Sequence, residues 1–161
     1  MWKGWNKMLP FDSYPDKGRK LLGLVKGSNC RQEYGSEFMK RTGQRKCVYC
    51  GADLTKTYES WLTIVLDHVV PASVCISALI SKEWCEDMSN RALACATCNG
   101  FCNHYKPTEN IILPLTLEAF YDLRDRIFAE RSKLIAERRK DERLFFDQRP
   151  WDCNPGRVPH P

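Results

Sequence analysis

The sequence predicts an α+β fold: a small centre of two short strands and a short helix, stapled by a four-cysteine metal site and flanked by helices. Three observations carry that expectation. The cysteines include two Cys-x2-Cys pairs, Cys47/Cys50 and Cys95/Cys98, with 44 residues between them. Two short segments, Trp61–Leu66 and Arg91–Ala94, read as strands that pair with each other. Apolar residues then recur at helical spacing from Leu117 to about Phe146. At 161 residues the chain has room for one ordinary domain with its own core, and two would be crowded.

Each element has a local reason. Residues 1–30 carry Pro10, Pro15, Gly18, Gly23 and Gly27 and read as an irregular arm with a short helix around Lys17–Leu24. Residues 31–46 are polar and read as helical up to Gly43. Lys46-Cys47-Val48-Tyr49-Cys50-Gly51 reads as a knuckle turn: two thiolates on a tight loop, with a glycine just after. Trp61–Leu66 is apolar and rich in β-branched residues, which suits a buried strand ending in Asp67-His68, with Pro71 closing the element. A connector follows, with a short helix around Ile76–Glu86. Arg91–Ala94 leads straight into Cys95-Ala96-Thr97-Cys98 and a short helix that Pro107 stops. Thr116 is placed to cap the long helix, whose packing face carries Leu117, Phe120, Leu123, Ile127, Leu134 and Ile135. The tail from Arg149, with Pro150, Pro155, Pro159 and Pro161, reads as extended. The chain thus divides into a basic arm (1–46), a central core with the knuckles (47–107), a C-terminal helix packing on that core (108–148) and a Pro-rich tail (149–161).

Charge is uneven. The net charge is +5, but residues 1–46 hold a surplus of seven positive side chains, residues 47–115 a deficit of three, and the remainder is nearly balanced. A basic arm beside a mildly acidic centre suits a polyanion-binding surface flanking a metal site. Trp2, Trp5, Tyr14 and Tyr34 lie among the basic residues, where they can stack on bases or plug a core. No apolar run approaches the ~18 residues of a membrane span, and the N-terminus lacks the apolar stretch of a secretory signal. Nine cysteines, an odd number without such a signal, argue against a disulfide framework and for a reduced, cytoplasmic setting in which some bind metal.

Two Cys-x2-Cys pairs can each take one edge of a Zn²⁺ tetrahedron, closing a site with no open position that staples the fold. Cys30, Cys75, Cys85, Cys102 and Cys153 lack such pairing and read as ordinary thiols. Between and beside the knuckles lie Asp67-His68 at a strand end, Asn90 at the opening of the second strand, and Asn99 directly after Cys98. Singly these are a surface pair, a turn residue and a helix cap; zinc would clamp their segments towards one place.

Cys-x2-Cys-Gly, then Asp-His-x-x-Pro, then Asn followed five residues later by Cys-x2-Cys-Asn, resembles the zinc-stapled type of HNH endonuclease, over residues 46 to about 106. The resemblance implies a ββα-metal (His-Me finger) core acting on DNA, with His68, Asn90 and Asn99 as its three signature positions. Phosphodiester hydrolysis needs charge neutralisation, an activated water and a stabilised leaving group. Asp67 and Asn99 offer hard oxygens suited to one Mg²⁺ or Mn²⁺. His68 titrates near neutrality and is the expected general base. Strand alternation sends Asp67 and His68 to opposite sides, and Asn90 is expected to brace the loop by bonding to backbone near His68. Products with 5′-phosphate and 3′-hydroxyl follow from the resemblance.

One departure concerns the last ligand. Many such relatives have a basic residue three positions after Asn99, where this chain has Cys102, and Cys102-Asn103-His104-Tyr105-Lys106 repeats a Cys-Asn-x-x-Lys pattern. Asn103 and His104 are therefore alternatives to Asn99. His104 can instead contact the scissile phosphate, and Lys106 and Arg91 are the candidate nucleic-acid contacts. One centre per chain makes a homodimer, or two visits, the route to a double-strand break. Against the enzyme stand two other readings: a non-catalytic zinc-stapled module that binds nucleic acid, and a zinc-bound protein-interaction domain.

Overall fold

The computed structural model describes residues 9–15, 30–113 and 115–152; the helix expected around Lys17–Leu24, Trp2, Trp5 and the tail beyond residue 152 lie outside these. A π-helical turn, Cys30–Tyr34, runs into helix α1, Gly35–Thr42, which Gly43 closes at φ +72°. That left-handed conformation is where a glycine costs no Cβ clash. The first knuckle is a narrow hairpin: Lys46 bridges Asp53, and the Cys47 amide donates to the Ala52 carbonyl at 2.9 Å. Gly51 turns it at φ +73°, its amide donating to the Cys47 carbonyl at 2.8 Å.

Strand β1, Ile64–His68, is shorter than expected. Trp61 and Leu62 belong to helix α2, Tyr58–Leu62, because the Thr57 side chain accepts from the Ser60 amide and starts a helical turn that Thr63 ends. Helices α3, Ala72–Ser77, and α4, Lys82–Cys85, replace the single helix expected over Ile76–Glu86. The break comes at Leu79, a non-glycine residue at φ +53°, after which the Ile80 amide returns to the Cys75 carbonyl at 2.9 Å. Asn90 ends a 3-10 turn, Met88–Asn90, and strand β2, Arg91–Cys95, begins one residue later. Helix α5, Ala96–Phe101, ends well before Pro107, and helix α6 runs from Leu117 to Gln148 with the Thr116 side chain accepting from the Ala119 amide.

The fold is mixed helix and strand, and among the described residues its sheet has two strands. They pair antiparallel with Ile64 opposite Cys95, Asp67 opposite Ala92 and His68 opposite Arg91. Around the sheet, Phe11, Phe38, Leu54, Val69, Val70, Met88, Leu93, Phe120, Ile127 and Ile135 are buried, and each such large side chain contributes about 1.5–3 kcal/mol by leaving water. Residues of the basic arm are part of this core. Phe11 and Tyr14 meet edge to face, as do Tyr14 and Phe38, and the Tyr14 hydroxyl donates to the Arg91 carbonyl at 2.7 Å. The arm thereby grips the start of β2. On α6, Phe120, Leu123, Ile127 and Ile135 face inward, whereas Leu117 and Leu134 are exposed; Arg124 and Arg131 take inward positions instead. No helix among the described residues is long and apolar enough to cross a membrane.

Candidate metal centre and adjoining cleft

The sulfurs of Cys47, Cys50, Cys95 and Cys98 all lie within 4.8 Å of one another, with Cys50 and Cys95 3.9 Å apart. A tetrahedron with Zn–S bonds near 2.3 Å has sulfur–sulfur edges of about 3.8 Å. The first pair comes from the hairpin, the second from the junction of β2 and α5, where Cys95 caps the helix by accepting from the Cys98 amide at 3.4 Å. The Val48 amide donates to the Leu93 carbonyl at 2.9 Å, fastening the first knuckle to the sheet. Burial and the charge of Cys47 push the Cys98 thiol up to about 12. The hydrogen bond to Cys95, with burial, pushes Cys47 up to about 12. Four thiolates this close need a cation among them, so the donor set fits zinc. Arg139 adds a guanidinium 3.7 Å from the Cys98 sulfur, a neighbour that suits a cluster carrying excess negative charge.

Beside this cluster opens a cleft of about 560 Å³ whose lining includes Asp67, His68, Glu86, Arg91, Asn99 and Arg131. Three side chains singled out in the sequence, Asp67, His68 and Asn99, therefore line one cavity. Asn103 also lines it, as does Cys102; His104 and Lys106 are exposed and lie outside it.

Asp67 is buried and already engaged. Arg131, from α6, places Nη2 2.9 Å from its Oδ2, and the Tyr49 hydroxyl donates to the same oxygen at 2.7 Å. Tyr49 stands between the two cysteines of the first knuckle, so the four-cysteine cluster is tied directly to this carboxylate. Both contacts fall on Oδ2. The half-buried Asn99 lines the same cleft. Arg131 also donates from Nη1 to the carbonyls of His68 and Val69, at 2.8 and 2.9 Å.

His68 sits between opposite charges. Its Nε2 is 3.2 Å from Glu86 Oε1, and its Nδ1 is 3.2 Å from Arg91 Nη1, its cross-strand neighbour. Burial lowers the imidazole's affinity for protons, and Arg91 lowers it further, while Glu86 opposes both. The ring is thus held neutral near pH 7. Arg91 bonds to Glu86 as well, so this arginine is an internal member of the cleft wall rather than a free surface cation.

Asn90 is fully buried and does not line the cleft. Its Oδ1 accepts from the Val70 amide at 2.9 Å, and its Nδ2 donates to the carbonyls of Val70 and Cys85 at 3.1 and 2.9 Å. It holds the chain just after His68 against the end of α4.

Sequence reasoning missed Tyr49, Glu86, Arg131 and Arg139. For Arg131 a signal was present: it stands four residues from both Ile127 and Ile135, on the buried stripe of α6. Comparison with family models, curated proteins and solved structures finds no match to this chain.

Proposed function

We propose that this chain is a metal-dependent endonuclease of HNH type that hydrolyses phosphodiester bonds in DNA. The observation that carries the reading is the meeting of Asp67, His68 and Asn99 in one cleft beside a four-cysteine cluster. A carboxylate and an imidazole gathered at one cavity, in a chain whose first 46 residues carry a positive surplus, suit hydrolysis of an anionic ester better than simple adhesion. Zinc at Cys47, Cys50, Cys95 and Cys98 holds the knuckles together. Asp67 and Asn99 would hold a Mg²⁺ or Mn²⁺ ion, which supplies neutralisation of charge on the phosphate and leaving oxygen.

The protein side of the reaction follows from His68. As Arg91 donates to Nδ1, the ring proton resides on Nε2 and is shared with Glu86. The lone pair on Nδ1 is freed when Arg91 turns towards a phosphate, and it then takes the proton of the attacking water. Glu86 steadies the charged ring that results. Arg131 supplies a positive charge at the cleft wall that Cys102 also lines, and Cys102 stands at the position where many HNH endonucleases of the type this sequence resembles carry a basic residue. Asn90 fixes the backbone after His68 and acts as a positioning residue.

Plasmid nicking with Mg²⁺ or Mn²⁺, with and without EDTA, tests the reading beside His68→Ala. Cleavage that needs the divalent ion and drops by about 10²-fold or more in the variant supports it. Undiminished cleavage by His68→Ala removes the base, and no cleavage of any nucleic acid by the metal-loaded chain ends the enzyme reading.

The Arg131 pairing favours a second reading, because Asp67 is already neutralised without a metal ion. In that case the chain is a zinc-stapled nucleic-acid-binding module, and its DNA affinity falls with salt without turnover.

A further inference from the structure

A second donor cluster lies on the other flank of His68. The ligating atoms of His68, Cys85 and Glu86 fall within 4.8 Å of one another, and they come from the end of β1 and the C-terminal end of α4. We infer that His68 Nε2, Cys85 Sγ and Glu86 Oε1 form a distinct site for a zinc-class divalent ion, separate from the four-cysteine cluster. An imidazole, a thiolate and a carboxylate are the mixed set that Zn²⁺ and Co²⁺ favour and that Mg²⁺ does not. The site therefore discriminates against the hard ion suited to Asp67 and Asn99.

The groups around these donors suit the role. The second oxygen of Glu86 is bonded by Arg91, which aims Oε1 at the His68 ring. The neighbouring Cys75 thiol lowers the Cys85 thiol's hold on its proton, against the opposing effect of burial, and so favours the thiolate a metal needs. Asn90 Nδ2 holds the Cys85 carbonyl at 2.9 Å, so the residue bearing the sulfur is fixed from behind. Cys85 is buried, whereas the His68 and Glu86 side chains retain 25 and 36% of their exposure and line the cleft. An ion can enter from that side and keep one position open there, the arrangement of three protein ligands with a free fourth place. Binding moves the ring proton from Nε2 to Nδ1. Arg91 then loses its bond to the ring and keeps its bond to Glu86.

Occupancy has a functional consequence that, unlike the site itself, rests on the nuclease reading. An ion on Nε2 confines the ring proton to Nδ1, where it blocks the lone pair that takes up the proton of water. Excess zinc would then stop cleavage while one equivalent of zinc remains necessary for the fold.

Cobalt titration of the full chain tests the site. The protein is prepared with one equivalent of zinc, Co²⁺ is added, and zinc release is followed in parallel. One further equivalent of Co²⁺ is expected to bind without releasing zinc, giving thiolate-to-cobalt absorption. Cys85→Ser abolishes that absorption, and Glu86→Gln weakens Co²⁺ binding about tenfold or more. No further equivalent, or an absorption that survives Cys85→Ser, overturns the inference. If Cys85→Ser does not fold by circular dichroism, Glu86→Gln decides alone, and an unchanged Co²⁺ affinity overturns it. The nicking assay separates the two ideas. A chain that binds the extra cobalt yet cleaves nothing loses the nuclease reading and keeps the site, whereas one that cleaves without binding it loses only the site.

Discussion

Arg131 Nη2 lies 2.9 Å from Asp67 Oδ2, with the arginine side chain 2% and the aspartate side chain 7% exposed. The pair joins α6 to the end of β1, and the Tyr49 hydroxyl brings the first knuckle to the same carboxylate. Three elements distant in sequence converge on one buried charge.

Removing the arginine alone should be costly. Arg131→Met leaves the Asp67 carboxylate buried without its cation and frees the His68 and Val69 carbonyls, so a loss of about 3–5 kcal/mol is expected. The double variant with Asp67→Asn should lose clearly less than the sum of the singles. Urea denaturation of wild type, both singles and the double measures this coupling, and strict additivity would contradict the pairing.

Zinc and Asp67 should likewise be linked through Tyr49. Tyr49→Phe keeps both knuckle cysteines but removes a buried donor to Asp67, with an expected cost of about 1–3 kcal/mol at unchanged zinc content. Chelation removes the restraint altogether and should speed hydrogen exchange at the Asp67 and His68 amides. If chelated protein exchanges there as slowly as zinc-loaded protein, the knuckle does not steady this strand end.

What could be read beforehand depended on local repetition. The paired cysteines declare their grouping by spacing, and Thr116 and the recurring apolar residues declare α6. Arg131 escapes a reading of the sequence because a charged residue interrupts an apolar stripe that the geometry continues through it. The start of β1 is not legible because Trp61 and Leu62 are as apolar as a strand, and only the Thr57 cap assigns them to a helix. Glu86 carries no signal at all: it reaches His68 through the two-helix turn of residues 72–85, whose break at Leu79 no glycine announces.

That break gives a stability prediction. Leu79 holds φ +53° with its side chain 83% exposed, so it has left-handed strain and little burial to offset it. The strain costs about 1–2 kcal/mol, and glycine's extra unfolded-state freedom returns about 0.5–1 kcal/mol of it. Leu79→Gly should therefore stabilise the fold by up to about 1.5 kcal/mol. A lower denaturation midpoint in that variant would show that Leu79 contributes packing the geometry does not reveal.

The environment of His68 sets the direction of its pH dependence. Burial and Arg91 place the folded imidazole below the ordinary value of about 6.5. As pH falls through that ordinary value, the unfolded chain takes up a proton that the folded ring resists, so this residue's contribution to stability declines on acidification. Under the nuclease reading the neutral ring is the active form, and cleavage should persist below pH 6.5 before falling. Arg91→Gln removes a charge that disfavours protonation, so it should move the acid limb of the rate profile upward. Glu86→Gln removes the opposing carboxylate and should move that limb downward. Rates measured across pH at fixed Mn²⁺ for the three proteins check the ordering. If both substitutions shifted the limb in the same direction, His68 would not be the group whose protonation limits cleavage.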